Sequence, residues 1–74
     1  MTNMDSPVGN RLRAQRLKRR LTLQQVSDAT GMHISHLSRL ETGNRTPSLR
    51  MLTQLAAVYG CQVRTLIPVN RVST

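Results

Sequence analysis

The stretch that decides the fold is Thr22 to Glu41, TLQQVSDATGMHISHLSRLE. The Thr22 hydroxyl can accept from an unpaired backbone N–H at a helix start, and Gln25 three residues on can reach back, so the two read as a capping box. Leu21 before the cap and Val26 in the first turn are spaced to close over it as a hydrophobic staple. Val26 and Ala29 recur at helical spacing, and Gly31 supplies the left-handed position that ends a helix without strain. A second helical pattern starts around His33 and runs to Glu41, with Leu37 and Leu40 on its inner face.

Two short helices joined by a Gly-containing turn form a helix-turn-helix, whose second helix is placed for the DNA major groove. At about 100° per residue, Ser35, Ser38, Arg39 and Thr42 point away from Leu37 and Leu40, with Ile34 and His36 on the flanks. Arg can pair bidentately with guanine, Ser is a short adaptable donor or acceptor, and Ile can pack on a thymine methyl. A solvated helix face carries the same residue types, so charge has to decide between the two.

Eleven Lys and Arg stand against three Asp and Glu in 74 residues, a formal charge of +8. So strong an imbalance in one small domain calls for a polyanionic partner. A membrane surface fits less well. No apolar run approaches the ~20 residues of a spanning helix, and there is no Trp or Phe to anchor an interfacial one. Single-stranded nucleic acid is also disfavoured, because bases there stack on aromatic side chains and Tyr59 is the only aromatic. A duplex fits best. The single cysteine, Cys61, excludes an internal disulfide framework and reads as a small buried apolar side chain in a reducing compartment. MTNMDSPVGN lacks the apolar core of a signal peptide, so the expected location is cytoplasmic, on the nucleoid.

Working outward, residues 1–7 read as a flexible polar leader, residues 8–68 as the domain, and residues 69–74 as a tail ordered only if something packs on it. Helix 1 is expected from about Val8 to Arg20 and carries six of the basic residues: Arg11, Arg13, Arg16, Lys18, Arg19 and Arg20. Leu12 and Arg16 share a face and Leu17 lies off it. After the central pair, Gly43 and Asn44 fit a helix end and turn. Thr46 with Pro47 looks like an N-cap followed by proline at the first helical position. Helix 4 then runs from about Pro47 to Tyr59, burying Leu49, Leu52, Leu55, Ala56 and Tyr59. Helix 5 is expected from about Gln62 to Ile67, burying Val63, Leu66 and Ile67 before Pro68 stops it. The fold class is all-α, a compact five-helix domain with no competing strand signal.

In this order and spacing, Arg16, LTLQQVS, Gly31, HLSRLETG, PSLRMLTQLAAVYG and VRTLI together resemble the lambda-repressor-like, XRE-type (Cro/C1-type) helix-turn-helix domains over roughly Gly9 to Ile67. The resemblance implies base contacts from His33, Ile34, Ser35, Ser38 and Arg39. It implies phosphate contacts from Leu23 and Gln24 by backbone and from Thr42, Asn44 and Arg45, and a structural ion pair between Arg16 and Glu41. An acid in a helix's last turn opposes the dipole, which independently calls for a cation beside Glu41. The chain departs from the family at Leu23, where a phosphate-contacting Gln is usual, and at Ser27, where Ala usually packs between the two helices. It departs again at Arg20, which replaces the usual Gly ending helix 1, and at His33, which replaces a Ser or Thr cap and reads as an imperfect cap.

Other chemistries carry little weight. His33 and His36 are three apart on one helix, but only Cys61 and Asp28 remain as further ligands and neither has a metal-site spacing. No cofactor is called for. No phosphate-cradling Gly loop, nucleophile motif or carboxylate pair points to an enzyme. The expected function is sequence-specific duplex binding by a transcriptional regulator, a repressor working as a homodimer on an inverted-repeat operator, with a dimer contact at Leu66, Ile67, Val69 and Val72 or on the adjoining end of helix 4. The alternative is an antitoxin-type interaction module that neutralises a toxin, or binds another phage or host protein, and autoregulates its own promoter.

Overall fold

The computed structural model describes residues 7–67, and both the expected leader's first six residues and the tail lie outside them. Five helices follow in order: α1 Pro7–Lys18, α2 Leu23–Thr30, α3 Ile34–Thr42, α4 Leu49–Tyr59 and α5 Val63–Leu66. α1 packs on α3, α4 and α5, α2 on α3 and α4, and α4 on α5. Leu12, Val26, Leu37, Leu40, Leu52, Leu55, Ala56, Tyr59 and Leu66 form the shared core. Fully burying each large side chain contributes about 1.5–3 kcal/mol.

The local signals around the central pair have clear causes. Thr22 Oγ1 accepts from Gln25 N at 3.0 Å, and Gln25 Oε1 accepts from Thr22 N at 2.8 Å. Val26 is fully buried and Leu21 packs against the core, whereas Ala29 is exposed, so of those two positions Val26 alone enters the core. Gly31 takes φ +79° and donates to Ser27 O at 2.8 Å. The turn after it is tied by hydroxyls. Ser27 Oγ donates to Met32 O at 2.6 Å, Thr30 Oγ1 donates to Val26 O at 2.8 Å, and Met32 N donates back to Thr30 Oγ1. Ser27 therefore fits between the helices with its hydroxyl bonded, and it fixes the angle at which α3 leaves α2.

α1 ends two residues earlier than Arg20. Arg20 N donates to Leu17 O and Leu21 N to Arg16 O, the pair of bonds that closes a Schellman turn. Arg20 supplies the left-handed residue at φ +57°, a conformation that costs a side-chain-bearing residue about 1–2 kcal/mol. The turn is reinforced from within α1, because Arg16 Nη1 donates to Leu21 O at 2.8 Å.

α4 begins later than expected. Ser48, rather than Thr46, is the N-cap, its Oγ accepting from Met51 N at 3.1 Å. Ser is a better cap than Thr, and a helix that opens at Leu49 leaves Thr46 and Pro47 in the preceding loop. Leu49 consequently opens the helix and is 68% exposed. Its angular position matches the stripe, but the core does not reach this first turn. α5 is a single turn in which Leu66 is fully buried, Val63 half-buried and Ile67 exposed in extended backbone. Ile67 precedes Pro68, which excludes it from the helix. Of the residues expected at a dimer contact, Leu66 belongs to the core, Ile67 is exposed, and Val69 and Val72 lie outside the described residues. Cys61 is half-buried beside the core with a free thiol.

α1 comes close against the end of α3 at Gly9. A Cβ on Gly9 would stand 2.5 Å from the Glu41 carbonyl oxygen and 2.7 Å from that of Leu40, so only glycine fits. Two turns along the same face of α1, Arg16 donates through Nε to Glu41 Oε2 at 2.7 Å and through Nη2 to Oε1 at 3.1 Å. The hydrogen bond to Glu41 raises the guanidinium pKa further, against the opposing effect of burial. Both side chains are largely shielded, so losing one strands the other. Arg16→Ala or Glu41→Ala should each destabilise folding by about 3 kcal/mol. In denaturant titrations the double variant should lose less than the two single losses added, and strict additivity would mean that the pair does not interact.

Tyr59 closes α4 with its ring in the core. Burial, joined by the charge of Glu41, pushes its phenol up to about 12, above the value of about 10 that an unfolded chain shows. The neutral phenol is thus favoured on folding. Its contribution is complete below about pH 10 and is lost as pH rises towards 12. Tm should fall across that window, and Tyr59→Phe, with no proton to lose there, should flatten the fall. A slope unchanged in Tyr59→Phe would discard this origin.

Candidate nucleic-acid interface

α3 divides sharply across its axis. Leu37 and Leu40 are buried, and Ser35, Arg39 and Thr42 are exposed on the opposite side. Ile34 lies at the flank, 37% exposed. Ser38 is half-buried, turned towards α1 with Glu41 and Thr42. His36 sits on the other flank, half-buried, its Nε2 enclosed without a hydrogen-bond partner.

Both ends of α3 are fixed. At the N-terminus, His33 is a working cap: its Nδ1 accepts from Ser35 N at 3.2 Å and lies 2.8 Å from Ser35 Oγ. At the C-terminus, Gly43 takes φ +87° and donates to Arg39 O. Asn44 N and Arg45 N donate to the same carbonyl at 2.9 and 3.2 Å. The loop that presents the exposed Asn44 and Arg45 is thereby pinned to the helix that presents Arg39. Thr42 Oγ1 also donates to Arg39 O, at 3.3 Å.

Beside this ridge runs an open groove of about 530 Å³, lined by Asn10, Arg13, Arg16, Leu23, Ser38, Glu41 and Thr42. Leu23 is the first residue of α2, where backbone N–H groups lack helical partners and the dipole favours an anion. The Gln24 side chain is engaged with Asp28, donating through Nε2 to Oδ1 at 2.9 Å, so what Leu23 and Gln24 offer a phosphate is backbone. Asn10 and Arg13 are absent from the site expected on sequence grounds. A signal for them exists: Asn10, Arg13 and Arg16 recur every three residues along one flank of α1, the flank that meets Glu41.

The structure thus gathers Leu23, Ser38 and Thr42 around the groove and sets Ile34, Ser35 and Arg39 on the exposed side of α3. Asn44 and Arg45 stand at its far end. Among the described residues Arg16–Glu41 is the one ion pair, leaving the remaining Lys and Arg side chains there without a carboxylate partner. No group of three or more His, Cys, Asp or Glu is placed to hold a metal ion among those residues, and none of their helices is long and apolar enough to cross a membrane.

A family described as "Helix-turn-helix domain" matches residues 7–67. The HTH-type transcriptional regulator DdrOP3 of Deinococcus deserti is 40% identical over 57 residues, which cover 77% of this chain and 44% of the relative. The chain therefore spans less than half of that relative's length. Among solved structures, SinR, a master regulator for biofilm formation determined in complex with DNA, superposes with a TM-score of 0.78 at 29% identity, covering 82% of this chain and 98% of that one; SinR is a Bacillus subtilis protein. The restriction-modification controller protein C.AhdI from Aeromonas hydrophila superposes equally well, with a TM-score of 0.78 at 28% identity over 82% of this chain and 92% of that one. With the capped helix pair, the Gly31 turn and the Arg16–Glu41 tie in place, the chain belongs to the helix-turn-helix domain family, among its lambda-repressor-like, XRE-type members.

Proposed function

We propose that this chain is a sequence-specific duplex-DNA-binding transcriptional regulator, acting as a repressor on an inverted-repeat operator with α3 in the major groove. The observation that carries the reading is the exposed ridge of Ile34, Ser35 and Arg39 lying beside a cationic groove that ends at the open N-terminus of α2. A duplex has a counterpart for each. Its major groove, about 12 Å wide, admits a helix to base edges, and phosphates line the rim. Ile34 meets a thymine methyl, Arg39 a guanine, and Ser35 a polar base edge, with His33 and Ser38 at the margins. Phosphates take the free N–H groups of Leu23 and Gln24, the cations of Arg13 and Arg45, and the polar side chains of Thr42 and Asn44. The DNA complex of SinR and the regulator name of the Deinococcus relative support the same assignment.

A nine-residue α3 reads few base pairs, so operator-level specificity calls for two copies on half-sites about 10 bp apart or a multiple of that. Among the described residues, Ile67, exposed just past the end of α5, is left by the core for such a contact. Selecting bound duplexes from a random pool tests the reading directly. An inverted repeat supports it, and a pool with no enriched sequence discards it.

The electrostatic part predicts a log affinity that falls linearly with log salt, by about 0.9 per phosphate neutralised. Arg45→Ala should weaken binding to all sequences about equally and flatten that slope by about one unit. A salt-insensitive affinity would remove nucleic acid as the partner.

Arg39 is assigned to specificity. Its guanidinium fork matches the acceptor pair that guanine presents in the major groove. Arg39→Ala should lose about 1–3 kcal/mol on the selected operator, relax the choice at one position per half-site, and lose far less on random DNA. An equal drop on both duplexes would make Arg39 a phosphate clamp, since most protein–DNA hydrogen bonds go to the backbone.

A further inference from the structure

We infer that His33 fixes the polarity of Ser35, so that Ser35 meets DNA as a hydrogen-bond acceptor and selects the exocyclic amino group of an adenine or a cytosine. The inference rests on the placement of α3 in the major groove and adds to it which kind of base edge one residue reads.

The constraint lies in a single nitrogen. Ser35 N carries a hydrogen that points at His33 Nδ1 across 3.2 Å. A ring nitrogen that accepts this bond has its lone pair in the ring plane and carries no proton, so the neutral imidazole holds its proton on Nε2. Ser35 Oγ lies 2.8 Å from that same Nδ1. Between a bare ring nitrogen and a hydroxyl, only the hydroxyl can donate. The Ser35 proton is therefore committed to Nδ1, and the outward side of its oxygen carries lone pairs alone.

A free serine hydroxyl rotates to suit donor or acceptor and discriminates little. Here rotation would break the bond to His33. In the major groove the donors are the N6 amino group of adenine and the N4 amino group of cytosine, while guanine O6 and N7, adenine N7 and thymine O4 are acceptors. A serine held as acceptor fits the first set and faces lone pair against lone pair with the second. His33 gains the opposite character. Its Nδ1 is spent on the cap, and its exposed ring offers only the Nε2–H donor, suited to a phosphate oxygen or an acceptor base edge.

The test has one arm without DNA. In the free protein, at a pH where the ring is neutral, ring-nitrogen NMR should show His33 Nδ1 bare and Nε2 protonated. A proton on Nδ1 would overturn the inference at once. The second arm uses the operator selected from a random pool, with one base functional group deleted at a time: purine for adenine, 2-pyrimidinone for cytosine, 7-deazaguanine for guanine, and 5-methyl-2-pyrimidinone for thymine. Removing an amino group at one position per half-site should cost the native protein roughly five- to tenfold, the effect of one hydrogen bond. The same deletion should cost Ser35→Ala nothing. Coupling of Ser35 to an acceptor group, or to no base group, overturns the polarity while leaving α3 in the groove. Failure to select any sequence overturns the groove placement itself, and the inference with it.

Discussion

Arg16 and Glu41 hold the arrangement on which the other elements depend. One guanidinium uses Nε and Nη2 to grip a carboxylate near the end of α3 and Nη1 to hold the Leu21 carbonyl in the link between α1 and α2. Three parts of the chain thus meet at one cation. The contact requires α1 to lie close against α3, and Gly9 on the same face permits it by offering no Cβ to the carbonyls of Leu40 and Glu41. Glu41 lies at the wrong end of α3 for the helix dipole, so its charge is favourable only because Arg16 neutralises it. Remove the cation and the helix end carries an unpaired, shielded carboxylate.

That internal use of an acid shapes the surface. With only three acidic residues in the chain, one of them inside the ion pair, little negative charge remains to offset the cations of α1 and of the loop after α3. Self-repulsion of this kind lowers the stability of an isolated domain and is relieved when a polyanion neutralises it. The domain is thus least at ease alone. The left-handed Arg20, where glycine would carry no strain, is a separate conformational cost carried by the fold itself.

The sequence was most legible where a feature is decided within four residues. The Thr22–Gln25 capping box, the glycine ends at Gly31 and Gly43, and the Leu37–Leu40 inner face each depend on local geometry alone, and each appears in the structure. Legibility failed where the outcome depends on how far the core extends. Leu49 has the right angular position but belongs to a turn that the core does not reach. Ile67 was expected to be buried with Leu66, yet only Leu66 enters the core and Ile67 lies exposed just past the end of α5. Thr46 was the expected cap, yet Ser48, a better capping residue two positions on, starts the helix. Within the candidate site, the exposed face of α3 followed from a 100° period. Arg13 and Asn10 did not, because only the docking of α1 beside Leu23 and Thr42 makes their flank part of a groove.

Precision at the proposed reading surface follows from how the two ends of α3 are restrained. The helix has nine residues, too few to be rigid from propensity alone. At its start, the turn hydrogen bonds through Ser27 and Thr30 set its direction and His33 holds the first turn. At its end, Glu41 is held by Arg16, while Gly43, Asn44 and Arg45 converge on the Arg39 carbonyl. The residue whose side chain is assigned to guanine therefore has the most heavily restrained carbonyl of the helix. A long side chain projecting from a fixed backbone loses less freedom on binding than one on a fraying turn, and pre-organisation of this kind raises affinity by reducing the cost of ordering. The bonds that hold the fold together at α3 are the same ones that aim its side chains.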